Sequence, residues 1–238
     1  MYEVKVISLN NTTDTIKGIE FKFFEAIDNV KVKSKYQLNT EVFKLVYGRD
    51  AKNGEIGCTL SHFELISDFS DSDLDNKWLV ILEDDAMLEE NFQDVAESIV
   101  LKNCNEPSIY LLGISKTLKK NNFIHKLKWN LEKPTDFSGV KYGYANINHC
   151  GTVGYIINIK AARLIASRSE NIFWLADDWR VIGNMGIDIY VPNEPVVYED
   201  LKSISSIGNE VKCYNSITSN FKENSYLISR SFFKRLLK

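Results

Sequence analysis

Trp78-Leu79-Val80-Ile81-Leu82-Glu83-Asp84-Asp85 runs five apolar residues straight into three consecutive carboxylates. A short apolar run of this kind reads as a strand buried on both faces, the pattern of an α/β sheet. Ligands of such sheets bind in the crevice beyond the carboxyl ends of the strands. Three adjacent acids repel one another, so the cluster is costly unless something positive meets it. A divalent cation bridging to phosphate oxygens would do so. The plain alternative is a solvated acidic turn.

The composition narrows the class. A chain of 238 residues is long enough to bury one α/β core, and a net charge of −3 gives no reason to expect nucleic acid as a partner. Cys58, Cys104, Cys150 and Cys213 show neither C-x-x-C nor zinc spacing, so they read as buried thiols in a reducing compartment. Residues 2–9 alternate like a first strand rather than a signal peptide, and no apolar run is long enough to span a bilayer. The expected location is the cytoplasm, with any membrane contact peripheral.

Outward from the decisive run, strands and helices alternate. Residues 4–9 read as a strand, residues 10–14 as turn and cap, and residues 21–26 as a second short strand. After Gly54, residues Cys58, Leu65, Ile66 and Phe69 recur at helical spacing, with Phe63 at the flank and His62 on the same apolar side. Phe92, Val95, Ala96 and Ile99 mark another amphipathic helix, followed by a strand over 108–113. Residues 151–158 resume a buried strand, 159–166 a helix, and 172–175 an apolar lead into Asp177-Asp178. Late strands fall at 187–191 and 196–198. This order argues a layered α/β fold with a Rossmann-like mixed sheet flanked by helices.

Two segments stand apart. Residues 115–149 form a long excursion carrying Lys116, Lys119, Lys120, Lys126, Lys128, Lys133 and Lys141, expected to be an acceptor-side lid. At about 100° per residue, Tyr226, Ile228, Phe232, Phe233, Leu236 and Leu237 fill one side of a terminal helix. Arg230, Lys234, Arg235 and Lys238 fill the other, which suits an anionic membrane surface, although an ordinary packed helix would look the same. A single domain over 1–238 is expected. Its donor-binding part covers about 1–114, its acceptor-side part about 115–220, and its basic amphipathic tail 222–238.

Three stretches carry a family resemblance: Gly54-Glu55-Ile56-Gly57-Cys58-Thr59-Leu60-Ser61-His62, the strand ending in Glu83-Asp84-Asp85, and Gly151-Thr152-Val153-Gly154-Tyr155-Ile156-Ile157 followed by Lys160-Ala161-Ala162. With a weaker motif at Phe24-Glu25-Ala26-Ile27-Asp28, they resemble glycosyltransferase family 25, the bacterial enzymes of lipooligosaccharide outer-core synthesis. The Arg pair that many members carry after the first strand has no counterpart in residues 11–17.

The resemblance implies a GT-A type fold and an inverting transfer of a hexose from a UDP-sugar. Galactose is expected first and glucose next. The expected acceptor is a lipooligosaccharide or related saccharide, lipid-linked and met at the inner face of the bacterial inner membrane. It places donor contacts at Leu9, Asn10, Asp28, Glu55, Glu83 and Asp84, and the metal at Asp85 with Glu83. Oxygen ligands suit Mn²⁺ or Mg²⁺, which would offset the charge of the departing diphosphate. His62 and His149 are expected to shape the site, the former near Glu55 and the latter with a further possibility of touching metal or diphosphate.

An inverting transfer also needs a base for the acceptor hydroxyl, and Asp177 or Asp178 is the candidate, either of which could instead cap the next helix. Two other readings compete: a metal-dependent phosphohydrolase, and a sugar-nucleotide-binding protein without turnover. The acids follow a later strand and continue into Ala86-Met87, which counts against a phosphatase of the haloacid dehalogenase type.

Overall fold

A computed structural model describes residues 2–28, 33–71, 73, 77–102, 105–114, 119, 122, 131–144 and 149–200. Within them lie ten strands: β1 (Tyr2–Ser8), β2 (Lys22–Glu25), β3 (Trp78–Glu83), β4 (Ala86–Leu88), β5 (Ser108–Leu111), β6 (Glu132–Phe137), β7 (Val140–Tyr144), β8 (Gly154–Asn158), β9 (Asp188–Pro192) and β10 (Val197–Glu199). Five helices accompany them: α1 (Thr40–Tyr47), α2 (Asn53–Ser70), α3 (Phe92–Leu101), α4 (Ile159–Ala166) and α5 (Trp179–Gly183).

Eight strands form one mixed sheet in the order β2-β1-β3-β8-β5-β9-β7-β6, and β10 pairs with β4 in a small second sheet. β1 runs parallel to both β2 and β3, whereas β8 is antiparallel to both β3 and β5. The expected mixed α/β architecture is therefore present, with helices on both faces.

The continuous apolar run of β3 follows from its central position. Leu79 and Ile81 join the core shared with α2, α4 and α5, while Trp78, Val80 and Leu82 join the core shared with α3. Both faces are covered, so neither register of the alternation needs a polar residue. β3 then stops at its three acids because the sheet's end is the first place where carboxylates can meet solvent or a ligand.

Helix α2 is set against the sheet by its own motif. Glu55 accepts from the Lys52 backbone amide at the helix start, closing half of a capping box. Gly57 lies against the loop after β2, where an added methyl group would stand 2.3 Å from the Ile27 carbonyl oxygen. One turn on, Ser61 Oγ accepts the Ile27 amide at 2.8 Å and donates to the Gly57 carbonyl at 2.7 Å. Gly and Ser thus let backbone and helix approach closely while leaving no buried polar group unpaired.

The structure corrects the excursion. Residues 132–144 are not a lid: β6 and β7 form a hairpin that joins the central sheet through β9. Its turn has Ser138 at φ 50 and Gly139 at φ 86, the backbone a tight two-residue hairpin demands. Lys119 sits elsewhere, exposed and paired with Glu89. Helix α1 was not anticipated. The basic tail, with Arg230, Lys234, Arg235 and Lys238, lies outside the described residues, as does Lys120. Among the described residues no helix is long and apolar enough to cross a membrane.

Gly57→Ala should cost about 1–3 kcal/mol, the usual range for overpacking, because the obstacle is backbone. Urea denaturation should show a lower midpoint at unchanged slope; an unchanged midpoint would mean that the loop after β2 yields freely.

Candidate active site

The parallel strands β1, β2 and β3 deliver their carboxyl ends to one edge, and the acids gather there. Glu83, last in β3, accepts Thr152 Oγ1 at 2.6 Å, and His62 Nε2 lies 3.4 Å from the same oxygen. Burial alone would raise the Glu83 carboxyl. The hydrogen bond and charge of His62, with the Thr152 hydroxyl, outweigh it and hold Glu83 below the usual carboxylate range. His62 is itself fixed by Tyr155, whose hydroxyl lies 2.9 Å from Nδ1 in a nearly closed interior where His62 is 3% exposed. The expected neighbour of His62 was Glu55; its actual partners are Glu83 and Tyr155.

Asp84 and Asp85 occupy the turn after β3. The Asp84 carbonyl accepts the Thr13 hydroxyl at 2.6 Å and the Thr15 hydroxyl at 3.3 Å, which ties the loop after β1 to this turn. That loop holds the exposed Leu9 and Asn10, and Ser8 Oγ accepts the Asn10 and Thr12 amides at 3.3 Å each. Asp85 Oδ1 is buried without a hydrogen-bond partner among the described residues. Burial, then the charges of Glu83, Glu199 and Asp84, push its carboxyl up to about 8. A partly buried acid with acidic neighbours and one buried oxygen left without a donor fits the donor set of a hard, oxygen-seeking cation.

Asp177 and Asp178 separate clearly. Asp178 is the N-cap of α5: its Oδ1 accepts the Val181 amide at 3.2 Å and its Oδ2 accepts the Tyr47 hydroxyl at 2.8 Å. Asp177 accepts the Gly151 amide at 2.9 Å. Burial raises its carboxyl above the ordinary value, and the charges of Glu83 and Asp178 add to the shift, while the Gly151 amide opposes it. Asp177 therefore shares the field of Glu83, whereas Asp178 is engaged in holding α5 and α1 together.

The remaining expected residues have other settings. Glu55 is bound by Arg49 through two contacts of 2.8 and 2.7 Å, which gives it a helix-end role beside its expected donor role. Asp28 follows the Ile27 loop and is partly buried. His149 is 9% exposed, in the segment leading to Gly151. Cys58 is half-buried with its thiol pushed up by burial, and Cys150 is exposed, against the expectation that both are buried. Cys104 and Cys213 lie outside the described residues.

Several residues of this site carried no role in the sequence reading. Thr152 and Tyr155 sit inside the quoted Gly151–Ile157 motif but declare themselves only through Glu83 and His62. Tyr47 comes from the unexpected α1. Glu199 had a signal: Val196-Val197-Tyr198-Glu199-Asp200 repeats the apolar-to-acidic pattern of β3. β10 pairs with β4 so that Glu199 stands opposite Ala86, and the Asp200 amide donates to the Asp85 carbonyl at 2.9 Å.

Comparison with known proteins identifies the family. Residues 1–180 match the model of glycosyltransferase family 25 (LPS biosynthesis protein). A lacto-N-neotetraose biosynthesis glycosyltransferase LgtB of Neisseria meningitidis is 29% identical over 184 residues, covering 72% of this chain and 61% of the relative. The protein of the same name from Neisseria gonorrhoeae is 28% identical over 157 residues, covering 64% of this chain and 52% of the relative. The chain thus spans somewhat over half the length of these relatives. The three motif stretches that build α2, the end of β3 and the entry to β8 all lie within the matched span, and the chain belongs to glycosyltransferase family 25.

Proposed function

We propose that the protein is an inverting hexosyltransferase of GT-A type. It would move galactose, or next glucose, from a UDP-sugar to a lipooligosaccharide or related saccharide. The observation that carries this reading is Asp85: a buried carboxylate oxygen without a donor, at the carboxyl end of a central strand, among Glu83, Asp84 and Glu199. Family membership supports the reaction class, and the names of the relatives support a saccharide acceptor.

In this reading Asp85 and Glu199 would hold Mn²⁺ or Mg²⁺, with Glu83 behind them, and the ion would supply charge neutralisation for the departing diphosphate. The chain's own residues do the rest. His62 and Thr152 keep Glu83 ionised and oriented, so the floor of the site stays negative and rigid. Asp177 receives the acceptor hydroxyl's proton as that oxygen attacks the anomeric carbon. Its raised affinity for protons makes it a better base than an ordinary aspartate. Asp178 and Tyr47 position Asp177 by anchoring the start of α5. The loop after β1, fixed by Thr13 and Thr15 on Asp84, offers Leu9 and Asn10 to the donor. An anionic membrane surface met through the basic tail completes the proposal for a lipid-linked acceptor.

Donor turnover with Mn²⁺ tests the reaction class: slow UDP release in the absence of acceptor supports transfer, whereas inorganic phosphate release supports a phosphohydrolase. No turnover with either leaves a binding protein, against the proposal.

Asp85→Asn should abolish the Mn²⁺ dependence of UDP binding, measured by calorimetry with and without the metal. Retention of that dependence would move the metal elsewhere. The same variant has a stability signature. Asp85 is raised in the folded state, so between about pH 4 and about 8 the folded protein binds the proton more tightly than the unfolded chain. Stability from this group is complete at the low end and is lost as pH rises through that window. Metal-free Asp85→Asn should therefore gain melting temperature over wild type at pH 8 and lose that advantage towards pH 4. Because the proton competes with the cation, Mn²⁺ affinity of the wild type should rise across the same range.

Asp177→Asn should lower transfer by about 10²–10⁴-fold with donor affinity nearly unchanged. Asp178→Asn, which can still cap a helix and accept from Tyr47, should stay within a modest factor of wild type. Equal losses in both would show that the pair acts as a structural unit instead.

A further inference from the structure

Behind the acidic edge, Cys58, His62 and Glu83 bring one sulfur, one imidazole nitrogen and one carboxylate oxygen within 4.8 Å of one another. Cys58 and His62 are one helical turn apart on α2, so they face the same direction. Glu83 reaches them from the end of β3. The proposed transfer uses Glu83 and the ring of His62 only as fixed scaffolding, and it uses Cys58 not at all.

We infer that this trio is a binding site for a soft or borderline divalent cation of the Zn²⁺ class, separate from the oxygen-only set at Asp85. The donor types decide the class: a mixed S, N, O set is typical of zinc, while hard Mg²⁺ avoids sulfur. The spacing agrees. Ligands held about 2.0–2.1 Å from a tetrahedral zinc stand about 3.3 Å apart, and His62 Nε2 and Glu83 Oε1 are already 3.4 Å apart. Only the Cys58 sulfur must close in, by roughly 1 Å from its outer limit, to reach a zinc–sulfur bond of about 2.3 Å.

The outer partners are in place as well. Thr152 bonds the ligating oxygen of Glu83, and Tyr155 bonds Nδ1 of His62, leaving Nε2 turned inward. A hydroxyl can donate or accept. Tyr155 can therefore serve a ring protonated at Nε2 when the site is empty, and one protonated at Nδ1 when Nε2 gives its lone pair to a metal. Binding balances as follows: the Cys58 S–H bond breaks, an S–metal bond forms and that proton passes to the buffer; the His62 Nε2–H bond breaks as the N–metal bond forms, its proton replaced by one at Nδ1 in a neutral ring or released from a charged one. With thiolate and carboxylate both bound, a dication is neutralised, and water can fill the fourth position.

The test uses the full chain with Zn²⁺ alone and with Co²⁺ as its spectroscopic stand-in. We expect one tight Zn²⁺ equivalent, release of the Cys58 proton together with any extra proton carried by His62, and a cobalt–thiolate charge-transfer band. Cys58→Ser, nearly the same size, should lose the band and weaken Zn²⁺ by more than the about 10–100-fold typical of losing an outer partner. Tyr155→Phe should fall within that about 10–100-fold range and keep the band. Cys150→Ser and Asp85→Asn should leave binding unchanged. A band or affinity that survives Cys58→Ser, or one that disappears in Cys150→Ser or Asp85→Asn, would overturn the assignment. Melting curves of the metal-free variants confirm that each is folded.

Discussion

A carboxylate carried into the end of a central strand must be held by donors or be neutralised, and Glu83 is held. Thr152 at 2.6 Å and His62 at 3.4 Å share one of its oxygens, and Tyr155 fixes the far side of the imidazole. These donors come from α2, the entry to β8 and β8 itself. One partly buried charge therefore ties the longest described helix to β3 and to β8 with its entry loop. Stripping the donors while leaving the charge would cost more than the hydrogen bonds themselves gain, since an unpaired carboxylate shielded from most of the solvent is the expensive state.

Burial, with the ionised Glu83 close by, pushes the acids beyond it in the opposite direction. Asp85, with one oxygen buried and unpaired among the described residues, is raised first by burial and then by Glu83, Glu199 and Asp84, to about 8; Asp177 is raised first by burial, with Glu83 among the further causes. Neighbouring carboxylates with divergent proton affinities are a common way to divide labour within one site. In the proposed transferase the low-lying Glu83 orders the floor, Asp85 awaits a cation and Asp177 awaits a proton. Closure of the small sheet by β10 matters to this division, since it brings Glu199 to the edge that β3 begins.

Much of this was legible from residue patterns. The apolar run before Glu83 identified β3 because a strand covered on both faces has no polar alternation to obscure it. The spacing of Cys58, Leu65, Ile66 and Phe69 located α2, although Cys58 is only half-buried and Thr59, Leu60 and Phe63 bury other sides of the helix as well. Helix α1 escaped notice because Leu45 and Val46 are exposed and only Phe43 is fully buried, which blurs its periodicity. The β6–β7 hairpin hid behind its lysines: Lys133 on the edge strand β6 and Lys141 on β7 are both exposed, so charge density suggested a lid where a sheet continues. Asp177 and Asp178 were indistinguishable in sequence, and only the Val181 amide and the Tyr47 hydroxyl reveal which one is occupied by capping. The Arg49 pairing of Glu55, with its two short contacts, had no signal in the sequence.

The central claim is that the acids at the end of β3 receive a cation together with a nucleoside diphosphate. Crystals grown with UDP and Mn²⁺, measured at the manganese absorption edge, test it directly. The account predicts an anomalous peak against the Asp85 carboxylate with the diphosphate on its far side. A peak away from Asp85, or UDP bound without manganese at another strand end, would contradict it.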